Sequence, residues 1–100
     1  MTSVEIRRVE TNKKQYLALL LLADEQEDMI DRYLERGSMY VLEDDGVKAE
    51  CVVTDEGGGV LELKNIAVEP DFQGKGYGKA LVDFLIRTYA GQCMLLQVGT

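Results

Sequence analysis

The sequence predicts a mixed α/β domain in which an antiparallel β-meander is followed by one β-α-β unit. Several short segments alternate apolar and polar residues, as half-buried strands do. Asp45-Gly46 separates two of these segments in the manner of a two-residue hairpin turn. Further along, a glycine-rich turn stands between a strand-like segment and an amphipathic segment. With 100 residues the chain is long enough for one core, so we expect a single domain over residues 1–100.

The first part of the chain predicts one strand and two helices. Residues 4–9 (VEIRRV) alternate as a half-buried strand does. Thr11 or Asn12 is the expected cap of a helix over residues 13–23, whose apolar side chains cover nearly every face. Residues 24–37 (DEQEDMIDRYLERG) predict a second helix with one apolar stripe and an acidic first turn.

The second part predicts four strands and one helix. The strands are expected at residues 38–44, 47–55, 60–68 and 92–98. Pro70 ends the third of these because proline cannot donate to a strand ladder. The apolar spacing from Leu81 to Tyr89 predicts a helix between the last two strands. Those two strands should therefore be parallel, joined by a right-handed crossover.

Composition narrows the classes of function. The chain has no histidine, and its two cysteines, Cys51 and Cys93, lie far apart, so we expect no metal site. Both cysteines are expected to be buried and reduced, which favours a cytoplasmic protein. No segment has the length of a membrane span, and the N-terminus has no signal-peptide pattern. The net charge of −7 argues against nucleic acid and would suit a cationic substrate.

Residues 73–81 (QGKGYGKAL) place a glycine-rich turn where a helix should begin. Three of these residues are glycines: Gly74, Gly76 and Gly78. The first N–H groups of a helix have no internal partner, and the helix dipole adds about half a positive charge there. A phosphate can therefore bind to the backbone alone, and Lys75 and Lys79 can add positive charge beside it. A turn with no ligand is the other interpretation.

Two common phosphate motifs fail on spacing. The dinucleotide pattern GxGxxG would require glycine at position 79, which is Lys79, and the GxxxxGK[ST] loop would require glycine at position 73. The pattern Q-x-x-G-x-G fits Gln73, Gly76 and Gly78. With its context, NIAVEPDFQGKGYGKAL, this stretch resembles the acetyl-CoA-binding motif of the GNAT superfamily of N-acetyltransferases. The resemblance covers about residues 62–89, and the upstream β-α-α-β-β order also matches that family.

The resemblance implies transfer of an acetyl group from acetyl-CoA to an amine. It implies that main-chain N–H groups of residues 73–78 hold the pyrophosphate and that the pantetheine arm pairs with the main chain of residues 66–68. An N–H near Ile66 would polarise the thioester carbonyl as an oxyanion donor. The expected cofactor-binding residues are Ile66, Ala67, Val68, Gln73, Gly74, Lys75, Gly76, Tyr77, Gly78 and Lys79. Residues 66–68 are also expected to be core strand, since only their main chain is recruited.

Glu62 is the expected catalytic base, and Ile66 is the expected oxyanion donor. Some base must deprotonate an ammonium before it attacks a thioester, and histidine is absent. A glutamate in the register of Glu62 serves this role in some family members, and strand alternation would place Glu62, Lys64 and Ile66 on one face. A solvated glutamate paired with Lys64 is the other interpretation.

Two further features have expected roles. The acidic segment 24–28 would either attract a cationic acceptor or be a solvated helix N-terminus. The Tyr77 side chain should pack against its surroundings rather than take part in the reaction.

The chain ends at Thr100, whereas the family continues with another helix and two strands. We therefore expect a GNAT-like acyl-CoA N-acyltransferase fold truncated after the fifth strand, that is, a fragment or a chain completed by a partner. By this expectation the 100-residue chain alone is a poor catalyst and associates, for example as a homodimer, through an apolar edge at residues 94–96. Two other hypotheses remain: a non-catalytic acyl-CoA-binding or sensing module, and a purely structural α/β domain.

Overall fold

Five strands form one mixed sheet in the computed structural model of the chain, which describes residues 3–96. The strands are β1 (Glu5–Val9), β2 (Ser38–Glu43), β3 (Val47–Gly57), β4 (Val60–Val68) and β5 (Cys93–Leu96). They are neighbours in chain order, antiparallel from β1 to β4, with β5 parallel to β4. The predicted meander and parallel last pair are confirmed, and the last residues of the strand predicted at 92–98 lie outside the described range.

Three α-helices accompany the sheet in the described part of the chain: α1 (Leu17–Ala23), α2 (Glu27–Asp31) and α3 (Tyr77–Thr88). The helix predicted from residue 13 begins as a 3-10 turn over Lys13–Tyr16, and Asn12 adopts φ 52° there without a side-chain capping bond. A second 3-10 turn, Pro70–Phe72, connects β4 to the glycine-rich loop.

Helix α2 is much shorter than the predicted helix over residues 24–37, and Lys13 closes the turns that follow it. The ammonium of Lys13 donates to the carbonyl oxygens of Leu34 (2.9 Å), Glu35 (3.3 Å) and Gly37 (2.8 Å). The last carbonyls of a helical segment have no donor within the segment, and here one buried cation satisfies them. Periodicity predicted the apolar stripe correctly, but it could not predict this tertiary contact.

Two apolar clusters lie on opposite faces of the sheet. Helices α1 and α2 cover a cluster built on Leu20, Ile30, Leu34, Met39, Val41 and Val52. Helix α3 covers the other, built on Leu42, Cys51, Val53, Leu63, Leu81 and Leu85. The central strand β3 is therefore buried on both faces, and its residues from Ala49 to Thr54 are all buried.

A β-bulge at Lys64 interrupts the alternation of β4. Val52 pairs with Asn65 whereas the next residue, Val53, pairs with Leu63, so Lys64 is an extra residue on β4. As a result Ile66 packs on the α3 side of the sheet, while Glu62, opposite Thr54, lies on the α1 side. The prediction that Glu62, Lys64 and Ile66 share one face is wrong, because strict alternation holds only where no residue is inserted.

The turn between β2 and β3 has the predicted hairpin geometry. Asp45 and Gly46 have φ of 54° and 99°, as both central residues of this turn type require. The cysteines differ from expectation in one respect: Cys51 is buried but Cys93 is exposed. Among residues 3–96 no helix is long and apolar enough to cross a membrane.

Candidate acyl-CoA site

Strand β4 pairs with β5 over its first residues: within the described range, residues 60–63 join residues 93–96. On the other side, β4 remains paired with β3 up to Val68. The C-terminal end of β4 leads through the 3-10 turn at Pro70–Phe72 into the glycine loop.

A cleft lies beside the C-terminal end of β4. It has a volume of about 300 Å³, at the lower end of the size range of small-molecule pockets. Its lining residues come from α1, the end of β4, the loop and the first turn of α3: Leu22, Ile66, Ala67, Val68, Gln73 and Gly78. The structure thus brings together five of the predicted site residues from two separate parts of the chain.

The loop before α3 has the backbone conformation that its glycines permit. Gly74 and Gly76 have φ of 83° and 86°, in the left-handed region. A Cβ at either position would meet no atom within 4 Å, so backbone conformation rather than crowding within the protein requires glycine. Gly76 precedes the helix, whose first turn has no side-chain capping bond, and its carbonyl accepts from the N–H of Ala80 at 2.9 Å. The N–H groups of residues 77–79 therefore point into the loop as an anion site would require.

The polar side chains of the loop differ in how they are engaged. Gln73 donates from Nε2 to the carbonyl of Val68 (3.3 Å), which joins the loop to the end of β4. The Lys75 ammonium lies 5.5 Å from the ring centre of Phe72, so it stays close to the loop. Lys79 instead pairs with Asp83 one turn along the helix, at 3.1 Å.

Tyr77 fastens the start of α3 to the β2–β3 hairpin. Its ring packs against the apolar cluster under α3, and its hydroxyl donates to the carboxylate of Asp44. This hydrogen bond raises the pKa of Tyr77 because it stabilises the protonated phenol. The side chain is not part of the cleft lining, so any contact of Tyr77 with a ligand in the cleft would involve its main chain.

Glu62 is enclosed and ion-paired. Its side chain is 9% exposed, and its Oε2 lies 3.0 Å from the Lys64 ammonium, the partner supplied by the bulge. The ion pair that the sequence offered as the other interpretation is therefore present. The ion pair occupies one acceptor site of the carboxylate.

A chain of hydrogen bonds runs from β4 to the α1–α2 junction. The Asn65 amide donates from Nδ2 to the carbonyl of Leu20 (3.1 Å) and to the hydroxyl of Tyr33 (3.0 Å). The Tyr33 hydroxyl in turn donates to Asp24 at 3.3 Å. Burial raises the pKa of Tyr33 to about 12, so it stays a protonated donor at neutral pH. Of these residues, sequence reasoning had singled out only Asp24, within its acidic segment.

Two of the four carboxylates in that acidic segment have structural partners. Glu27 and the nearby Asp31 both contact the ammonium of Lys14, at 2.7 Å and 2.6 Å. Asp24 accepts from the backbone N–H of Gln26 as well as from Tyr33. For Asp24 and Glu27 these contacts favour an internally paired helix start over a dedicated acceptor site.

Glu50 is the functional candidate that sequence reasoning missed. It is 0% exposed on β3, and no described residue donates a hydrogen bond to either of its carboxyl oxygens. Burial raises its pKa to about 8, because a charged carboxylate loses its hydration there. The available signal was a lone glutamate within the apolar run AECVV of a strand that would be central in the meander.

A cleft between the end of a strand and a glycine loop at a helix N-terminus is the arrangement of an acyl-CoA-dependent acyltransferase. The chain belongs to the GNAT family: the model of the acetyltransferase (GNAT) domain matches residues 35–99. It is 43% identical over 74 residues to an uncharacterised N-acetyltransferase, YvbK, of Bacillus subtilis, a match covering 73% of this chain. The resemblance that the loop motif predicted is confirmed.

Solved structures give the same result for the fold. An IAA acetyltransferase from Bacillus cereus is 39% identical, with a TM-score of 0.79 over 89% of this chain. An acetyltransferase from Bacillus subtilis in complex with CoA is 35% identical, with a TM-score of 0.79 over 87% of this chain. The chain spans 47% of the length of YvbK and 59% and 58% of the two structures.

Proposed function

We propose that the protein is an N-acetyltransferase that moves an acetyl group from acetyl-CoA to a primary amine. The observation that carries this proposal is the shared cleft, because the C-terminal end of β4 and the glycine loop before α3 meet in it. One relative of the same fold was solved in complex with CoA, which supports CoA as the ligand of the corresponding cleft here.

In this proposal each part of the cleft holds one part of the donor. The N–H groups of the loop and first helical turn bind the pyrophosphate, with Lys75 adding positive charge beside Phe72. The main chain of residues 66–68 pairs with the pantetheine amides as an added strand would. The N–H near Ile66 then donates to the thioester oxygen, and donors of this kind contribute about 10²–10³ in rate.

The amine must lose a proton before it attacks. A primary amine is an ammonium at neutral pH and has no lone pair for the thioester carbon. Glu62 is the base that the family resemblance supplies, and it lies on the same strand as the proposed oxyanion donor. Its ion pair with Lys64 favours the second candidate function, an acyl-CoA-binding or sensing module without turnover.

Two measurements on the full-length protein separate these functions. Calorimetry with acetyl-CoA should show binding for both, and absence of binding by a well-folded protein would refute both. Thiol release from acetyl-CoA should then be followed with spermidine, lysine amide and an unblocked peptide, which present three kinds of primary amine. Release with at least one of them supports the transferase, and binding without release from any of them supports the sensing module.

Location and assembly are also proposals. Two unpaired cysteines, one of them exposed, suit a reducing cytoplasm, where thiols persist. Strand β5 is an edge of the described sheet, and Leu95 on it is 48% exposed. We propose that this edge lets the 100-residue chain associate with a second copy.

A further inference from the structure

The ionised carboxylate of Glu50 and the amide oxygen of Asn65 form a cluster of hydrogen-bond acceptors on the face of the sheet that α1 covers. They are the buried side-chain atoms that have no hydrogen-bond partner among the described residues: Glu50 Oε1, Glu50 Oε2 and Asn65 Oδ1. Leaving a buried polar group without a partner costs about 1–3 kcal/mol. A cluster of acceptors is satisfied by a donor, and a water molecule with its two hydrogens can serve both residues at once.

The strand register places this cluster next to the cleft. Glu50 pairs with Ala67, which lines the cleft, and Asn65 pairs with Val52 two residues further along β3. Glu50 and Asn65 are thus diagonal neighbours on the face covered by α1, at a separation of about 7–8 Å for such positions.

We propose that Glu50 takes up the proton that the acceptor amine loses, through a water molecule held between Glu50 and Asn65. This inference rests on the proposed transferase function. Glu50 is enclosed and acts through the water, so it is a positioning residue rather than one that touches the substrate. Glu62 is less suited because its Oε2 is already bound to Lys64.

The step balances in atoms and charge. The ammonium passes one proton to the water, which passes one to the Glu50 carboxylate, so the amine gains a free electron pair. That pair forms the C–N bond at the acetyl carbon while the C–S bond breaks and its electrons leave with the CoA sulfur. The second proton of the nitrogen ends on the sulfur. The products are the acetamide, CoA thiol and a protonated Glu50.

Of the titratable groups in its surroundings, Glu50 is the one whose charge can change near neutral pH. Tyr33, from the segment after α2, and Cys51, on β3 itself, are the titratable groups whose charges interact with Glu50, and both are neutral at physiological pH. Several charged groups on this side of the sheet are already paired: Lys13 with three carbonyls, Arg7 with Glu43, Asp24 with Tyr33, and Lys64 with Glu62. With its pKa raised to about 8, Glu50 is suited to accept a proton near neutral pH.

The test is the pH profile of thiol release by the full-length protein with acetyl-CoA and the three amines named above. In the wild type, kcat/KM should rise with pH with a midpoint near 8, the pKa of Glu50. Glu50→Gln should lower kcat by about 10²–10⁴ and remove this rise, while acetyl-CoA binding stays unchanged. Glu50→Asp should restore part of the rate with a shifted midpoint. Glu5→Gln, at an exposed glutamate of β1, is the matched control and should keep the rise. Glu62→Gln, at the competing base, is measured beside it.

Each other outcome refutes a distinct claim. If the rise of kcat/KM with pH persists in Glu50→Gln, or disappears only in Glu62→Gln, the role of Glu50 is overturned. The proposed transferase function is not affected by either result. Wild-type protein that binds acetyl-CoA but releases no thiol with any of the amines overturns both the transferase function and this inference. Circular dichroism of each variant identifies any loss of folding, and the conservative Glu50→Asp change keeps the test decisive if Glu50→Gln unfolds.

Discussion

At the residue scale, the conformation of Gly76 is what the proposed phosphate loop depends on. Its φ of 86° is strained for any residue with a Cβ, by about 1–2 kcal/mol for a left-handed conformation. A Cβ there would meet no protein atom, so its side chain would project into open space at the loop. That space is where the pyrophosphate is proposed to lie.

Gly76→Val should therefore reduce acetyl-CoA affinity by more than about tenfold, because the side chain both strains the loop and displaces the phosphates. Calorimetry measures this loss. Gly58→Val is the matched control: Gly58 also has positive φ (63°) and open surroundings, but lies in the β3–β4 turn. It should destabilise the fold similarly and leave the affinity unchanged. Equal affinity in Gly76→Val and the wild type would contradict the phosphate-loop assignment.

Glu50 should also give the protein a characteristic dependence of stability on pH. Its pKa is raised in the folded state from an ordinary value of 4.5 to about 8, so the folded protein binds the proton more tightly than the unfolded chain. Its contribution is complete below pH 4.5 and is lost as pH rises through about 8. The slope from one such group approaches about 1.4 kcal/mol per pH unit.

Denaturant unfolding of the wild type and Glu50→Gln across this pH range measures the effect. As pH rises, the unfolding free energy of the wild type should fall relative to that of Glu50→Gln, because glutamine cannot ionise. A pH-independent difference would show that Glu50 does not titrate between the two pKa values.

At the element scale, one buried lysine holds together the turns that follow α2. Lys13 satisfies three main-chain carbonyls in the turns after α2, and its neighbour Lys14 makes exposed ion pairs with Glu27 and Asp31. The two lysines are adjacent in sequence but differ in burial, which makes them a natural pair for comparison.

Lys13→Met should lower the free energy of unfolding by at least about 1–3 kcal/mol, because it leaves buried carbonyls without a donor. Lys14→Met should have a clearly smaller effect, since surface ion pairs contribute little. Thermal or urea unfolding compares the two variants. Equal losses would show that the carbonyl contacts of Lys13 do not stabilise the segment after α2.

Local pattern predicted most elements but not the irregularities that shape the site. Alternation predicted the range of β4, 60–68, and the glycine spacing predicted the loop and the family. The bulge at Lys64 leaves no trace in the periodicity, so the face of Ile66 was predicted wrongly relative to Glu62. Burial of Glu50 follows from helices covering both faces of β3, which is a tertiary property. The same holds for the contacts of Lys13.

At the scale of the whole molecule, apolar side chains remain exposed at one end of the sheet. A groove between α3 and β5 is lined by Val82, Leu85, Ile86 and Met94. Ile86 is 57% exposed and Leu95, on the edge strand, is 48% exposed. Such surfaces favour contact with another chain or segment.

Sedimentation of the 100-residue chain should therefore show association that increases with concentration. Ile86→Glu combined with Leu95→Lys should shift it toward the monomer, because both changes place a charge on the exposed apolar surface. Val4→Lys is the control, since Val4 is 55% exposed but stands before β1, the opposite edge of the described sheet. A monomer at every concentration would contradict the proposed association.

The central claim, that the cleft between β4 and the glycine loop binds acetyl-CoA, is tested most directly by an amide NMR titration. The account predicts that acetyl-CoA shifts the backbone N–H signals of residues 66–68 and 73–79 first and most strongly, with smaller changes at the β2–β3 hairpin. Strong shifts confined to other residues, or no shifts for a folded protein, would contradict it.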